Sequence, residues 1–494
     1  MVDQVDVLVV GGGVNGVGIA RDAVGRGLSV WLCERDDLAS HTSSAATKLI
    51  HGGLRYLEQF EFALVGKALA EREVLLRAAP HIIWPLRFVL PHQPHLRPAW
   101  MIRIGLFLYD HLGRGRRTLP GSRRVRFAKH VTGKPLSDDF STGFVYSDAW
   151  VQDARLVVLN AMDAVRRGAR VETHTRCVSA RRDGEGWTAE LEAADGTRHF
   201  VRARALVNAA GPWAASFLDE VVQLKHQHTL RLIKGSHIIV PKIFEHRYAY
   251  IFQQPDRRIV FAIPYEQDFT LIGTTDIEYK GDPSHPKIDA EETTYLCEAV
   301  NRYFKKHITP DDVVWSYSGV RPLLQDEKGS ASEVTRDYLL DIDQNGAPLL
   351  NVFGGKLTTF RKLSEEAVDR LAPLLGNQKP AWTADAPPLP GGGERNIDEL
   401  TADILSSRPW LPEKLAWRLV HSYGTRTRDL LGEAKNIEAL GQNFGSDLYQ
   451  AEVDYLVRHE WATAAEDILW RRTKVGLRVT PADVQRLTDY LATR

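Results

Sequence analysis

The sequence predicts an α/β fold. A Rossmann-type domain is interrupted by an inserted, mainly antiparallel α+β domain and followed by an all-α C-terminal domain. Three observations carry this. A strand–glycine turn–helix–strand unit opens the chain. Alternating apolar and polar runs fill 228–280, and almost everything beyond 397 repeats with a helical period.

The opening unit begins with the β-branched run Val5 to Val10, followed by Gly11-Gly12-Gly13-Val14-Asn15-Gly16. This fits G-x-G-x-x-G placed between a strand and a helix, the context in which the pattern is informative. Gly11 permits a tight turn, Gly13 lets a pyrophosphate approach the backbone, and Gly16 lets helix and strand pack closely. The helix N-terminus presents unpaired N–H groups to phosphate. A second strand, Leu28 to Cys33, stops at Glu34, whose carboxylate is placed to bind ribose hydroxyls and to repel a 2′-phosphate.

The following segments select FAD over NAD. Hydroxyls and an amine follow at Ser43, Ser44, Thr47 and Lys48, then the diglycine His51-Gly52-Gly53 against which a flat ring can lie. Two distant segments have the same character: the strand ending at Ala210-Gly211, and Gly354-Gly355-Lys356-Leu357-Thr358 before a helix. Pieces so scattered require a sheet interrupted by an insertion. The expected boundaries are a FAD-binding domain at 1–80, 146–225 and 321–385, with the cap at 81–145 and 226–320. A Pro/Gly-rich linker spans 386–396 and the helical domain 397–494.

Composition excludes several classes. Lys plus Arg and Asp plus Glu number 63 each, so no net field favours nucleic acid. The three cysteines are isolated, which suits a reducing compartment and shows no disulfide framework. No metal-ligand spacing is present. No apolar run reaches the roughly 18 residues of a bilayer span, so the expected location is cytoplasmic or on a membrane face.

Thr47 to Leu57, Lys234-Gly-Ser-His237, Ile272 to Asp276, Tyr317 to Pro322, Thr335-Arg336-Asp337 and Gly354 to Thr359 resemble FAD-dependent glycerol-3-phosphate dehydrogenase. Ala465 to Thr473 is similar to that family's terminal domain. The resemblance covers nearly the whole chain. It implies a glutathione-reductase/D-amino-acid-oxidase-like FAD domain and oxidation of sn-glycerol 3-phosphate to dihydroxyacetone phosphate in glycerol use. It also implies a homodimer, peripheral on the inner face of the cell membrane, that passes electrons to ubiquinone.

Such a reaction needs cations for a phosphate dianion and a base for the C2 hydroxyl. Arg55, Arg321 and Arg336 are the expected phosphate and substrate ligands, with Tyr56 as a hydroxyl donor. Lys356 can polarise the C2 oxygen or support charge on reduced flavin. His51 is the first candidate base and His237 the second, because imidazole titrates near neutrality. Residues 99–109 are strongly apolar, with Arg87, Arg97, Arg103, Arg114, Arg116 and Arg117 in or near them. The residue pattern alone favours a core helix of the cap, whereas the resemblance implies docking at a lipid surface. Rival functions are a glycerol-phosphate oxidase using oxygen, an amino-acid or 2-hydroxy-acid oxidase, and a non-catalytic flavin-binding sensor.

Overall fold

The computed structural model describes residues 3–93, 97–113, 118–226, 229–324 and 338–494. Strand Asp3–Val10 is central to the first sheet, parallel to Val30–Cys33 on one side and to Arg198–Asn208 on the other. Arg170–Glu172 and Leu349–Phe353 extend the parallel array, and Leu339–Asp343 closes one edge antiparallel. Both faces of this sheet are covered, so alternate residues of one strand feed two cores. Val7 and Val9 join helices Val14–Gly25, Asp153–Arg166 and Phe360–Leu371 on one face. Leu8 and Val10 join the hairpin Thr175–Asp183/Gly186–Ala193 on the other.

Among the described residues, the second sheet has 10 strands and is antiparallel except where Ala249–Gln253 runs parallel to Ile83–Pro91. Its long strand Leu230–Pro241 pairs with both Phe269–Gly273 and Trp315–Leu324. Helix Ala290–Asn301, started by an Asp289–Glu292 capping box, packs Leu296 and Val300 onto this sheet. Strands Thr142–Val151 and Trp315–Leu324 belong to this sheet along their whole length, so Arg321 projects from the cap.

Helix Ala99–His111 buries only Leu106 and Tyr109, so it is not a core helix. Trp100, Ile104 and Phe107, spaced for one helical face, are 63%, 52% and 53% exposed. Phe60, just before the earlier helix Phe62–Ala78, is also exposed. No helix among the described residues is long and apolar enough to cross a membrane.

The C-terminal helices share their own core around Leu419, Val453, Leu456 and Ile468. They dock through buried ions. Arg155 pairs with Glu460, both fully buried, and donates to the Ser422 carbonyl. Arg472 donates to both oxygens of Asp37 at 2.8 and 2.9 Å. The Pro/Gly-rich stretch before them is packed: the Leu389 N–H donates to the Ala78 carbonyl, and the Thr425 N–H to that of Gly391.

Candidate active site

The carboxyl ends of strands Asp3–Val10, Val30–Cys33 and Arg198–Asn208 open onto one continuous groove, where an α/β sheet places its ligand. Two glycines are obligatory here. Gly11 has φ +113°, and a Cβ on Gly16 would lie 1.9 Å from the Gly11 carbonyl oxygen. This turn brings helix Val14–Gly25 onto the groove with no side-chain cap. Ser43 Oγ accepts from the Val14 N–H at 3.0 Å, leaving the rest of the first turn for an anion.

At the groove's outer end stands Glu34, accepting from the N–H groups of Gly12 (2.6 Å) and Asp36 (2.9 Å). Burial raises its pKa against those two bonds. Trp213 and Phe217 form the opposite wall. Gly13, Thr42, Ser43, Ala209, Gly211 and Pro212 line both halves of the groove, so a long bipartite ligand fits it. At the inner end, Asn15 reaches the Gly354 carbonyl with its amide N–H, while its buried Oδ1 has no partner among the described residues. A buried acceptor left unpaired beside a cavity is what a donor-bearing ring would satisfy. Asn208 donates to Asn351 Oδ1 at 3.0 Å, tying the strand ends that carry the Ala209–Trp213 and Gly354–Thr358 loops.

The inner end opens into a second cavity through Thr47, His51, Tyr56, Thr274, Asp276 and Arg321. Arg55 and Arg258 complete its cationic wall. Arg321 donates to Asp276 at 2.8 Å. Arg55 makes no hydrogen bond or ion pair to a described residue. Lys356 stands over the Tyr56 ring at 4.3 Å. Burial lowers the pKa of His51; the nearby Asp148 opposes this and Lys356 adds to it. Asp148 accepts from Tyr109 (2.8 Å) and Arg72 (2.8 Å), and Tyr109 in turn accepts from the Gly52 N–H. The loop carrying His51 is therefore held from behind by a buried polar network. His237 is also buried, stacked on Tyr317 at 4.8 Å and 3.0 Å from Thr47 Oγ1. Burial, then Lys48 and Arg321, push its pKa well below the usual value.

The sequence-predicted residues mostly converge. Gly11, Gly13, Asn15, Glu34, Ser43, Thr47, His51, Gly52, Ala210, Gly211, Gly355, Lys356, Leu357 and Thr358 line the groove. Gly53, Arg55, Tyr56 and Arg321 line the inner cavity, and His237 borders the inner end of the groove. Gly12 and Gly16 act through the turn. Ser44 and Lys48 do not line the groove: the Lys48 ammonium is buried and paired with Asp153 at 2.8 Å, and Ser44 bonds the His41 carbonyl. Arg336 lies outside the described residues. Sequence reasoning missed Asp148, Tyr146, Thr274, Asp276 and Arg258. Thr274 and Asp276 lie in the Ile272–Asp276 segment singled out above without a role, and Asp148 is the lone charged residue of strand Thr142–Val151. No group of three or more metal-ligating side chains occurs among the described residues.

A family model described as FAD dependent oxidoreductase matches residues 6–361, and one described as the C-terminal domain of alpha-glycerophosphate oxidase matches 382–492. Glycerol-3-phosphate dehydrogenase of Pseudomonas aeruginosa is 58% identical, over 98% of this chain and 94% of the relative. Aerobic glycerol-3-phosphate dehydrogenase of Escherichia coli K12 is 53% identical, over 98% and 97%. The chain belongs to the FAD-dependent glycerol-3-phosphate dehydrogenase family. D-erythritol 1-phosphate dehydrogenase of Brucella abortus is 54% identical, over 98% of this chain and 97% of the relative. The glycerol-3-phosphate dehydrogenase of Bacillus halodurans, solved with FAD, superposes with a TM-score of 0.77 at 27% identity, covering 99% of this chain and 94% of that one. FAD is thus the cofactor of the family; in the groove, Glu34, the open first turn of the Val14 helix and the unpaired Asn15 Oδ1 are groups that would fit its ribose, its phosphates and its ring.

Proposed function

We propose that the protein oxidises sn-glycerol 3-phosphate to dihydroxyacetone phosphate and delivers the electrons to a membrane quinone. One observation carries this: Arg55 and Arg321 line the cavity that begins where the cofactor groove ends, beside His51 and Lys356. Bound FAD supplies the acceptor for the hydride that leaves C2. The protein's own groups do the rest. Arg55 and Arg321 hold the phosphate dianion, the paired Arg321–Asp276 fork also orienting toward hydroxyls. Arg336 is assigned to the same clamp from its sequence segment. Tyr56 donates to a substrate oxygen. Lys356 polarises the C2 oxygen, and the neutral His51 imidazole takes the hydroxyl proton, with His237 as the second candidate.

The quinone assignment rests on the family likeness and on the exposed Trp100–Ile104–Phe107 face, suited to lying at a lipid interface on the cytoplasmic side. The homodimer is proposed on family likeness alone. D-erythritol 1-phosphate, named for the Brucella relative, is the second candidate substrate, because the inner cavity continues past Arg321 to Arg258, Phe88 and Phe261.

Steady-state rates with glycerol 3-phosphate, D-erythritol 1-phosphate and glycerol, each with a soluble quinone and with oxygen alone, test the assignment. Highest kcat/KM for glycerol 3-phosphate with quinone supports it. Preference for the tetritol phosphate, equal use of glycerol, or stoichiometric peroxide with no quinone reduction each overturns the corresponding part.

A further inference from the structure

Behind the loop that carries Ser43 is a separate cleft of about 510 Å³ that the oxidation does not use. Its walls come from three parts of the molecule: loop 40–48 of the FAD domain, the cap strand Trp315–Leu324 with the 283–287 segment, and the 466–474 turn of the helical domain.

Its cations are unevenly matched. Lys48 is paired with Asp153 at 2.8 Å and Arg471 with Asp37 at 2.7 Å. Lys474 is only 5% exposed, and its ammonium donates to the Trp470 carbonyl. It makes no ion pair to a described residue; Asp153 and Glu266 attract it only from farther away. Lys287 stands exposed at the mouth. Burial first, and then repulsion from Lys48, bring the Lys474 pKa down to about 7. A bound anion would reverse that cost. One wall is aromatic: Trp470 lies flat on Trp315, with centroids 3.7 Å apart.

We propose that this cleft is a second anion site, taking a small phosphate-bearing molecule whose dianion is held by Lys474 and whose body lies along Trp470. Thr42, Ala45 and Gly319 line both this cleft and the cofactor groove. Occupancy therefore ties the helical domain to the loop that lines the flavin site.

The test is thermal unfolding of the FAD holoenzyme, followed by flavin fluorescence, with inorganic phosphate titrated against chloride at equal ionic strength. Phosphate should raise the midpoint of wild type. Lys474→Met should lose at least half of that rise while its KM for the phosphorylated substrate stays within about twofold, and Lys474→Arg should keep it. Should Lys474→Met fail to fold, Lys287→Gln at the exposed mouth serves instead, with phosphate affinity weakened about twofold. Equal protection of wild type and Lys474→Met, full retention in Lys287→Gln, or a phosphate effect removed only by Arg321→Ala overturns the proposal.

Discussion

His51 has a pKa held below its ordinary value by burial, so its imidazole is neutral at pH 7 and free to accept a proton. Flavin reduction should therefore rise with pH through a value below 6.5 and then level off. His51→Gln should keep bound FAD, lose that rising limb and lower the plateau by about 10² to 10⁴; stopped-flow reduction across pH 5–9 measures both. An unchanged limb would move the base elsewhere, His237 first. Gly16 tests the cofactor turn. A methyl there meets the Gly11 carbonyl at 1.9 Å, backbone that cannot swing aside. Gly16→Ala should yield colourless protein, read from the ratio of 450 to 280 nm absorbance, whereas a fully yellow variant would refute the turn's role. Lys48 marks the limit of reading residues by type: with φ +60°, its amine is turned to a buried Asp153 more than 100 positions away.

At the scale of elements, the strand–turn–helix unit was legible because its signals are local. Apolar runs, glycines and the closing Glu34 lie within 30 residues of one another. The alternating cap strands were legible for the same reason. Helix Ala99–His111 was not, because an apolar segment has one appearance in sequence whether a core or solvent faces it. The Arg72–Asp148–Tyr109 network behind His51 was illegible too, since its members come from two helices and a strand. The exposed face predicts its own test. Replacing Trp100, Ile104 and Phe107 together by Ser should abolish flotation with anionic liposomes and leave rates with a soluble acceptor within about twofold. Flotation that survives would place membrane contact on another surface.

At the scale of the whole molecule, the helical domain is held by buried charge. Arg155 and Glu460 are each fully buried, so Arg155→Met leaves a buried carboxylate with only its longer 3.8 Å contact to Arg472 and should cost about 3–5 kcal/mol, measured by denaturant unfolding. His81 lies at the same junction, both ring nitrogens without a partner among the described residues and its pKa pushed by burial to about 3. The folded state thus binds fewer protons than the unfolded one, so stability is full above pH 6.5 and falls as pH drops toward 3. The slope is about 1.4 kcal/mol per pH unit, and His81→Leu should remove it. The sequence showed that a helical domain exists, but its docking partners Asp37, Arg155 and Ser422 lie far apart along the chain. The central claim is that a flavin groove and an arginine-lined cavity meet at one point. Anaerobic addition of one equivalent of sn-glycerol 3-phosphate to the yellow protein tests it most directly. The account predicts prompt bleaching near 450 nm that glycerol does not produce. Absorbance unchanged by the phosphate ester, or bleached equally by glycerol, would contradict it.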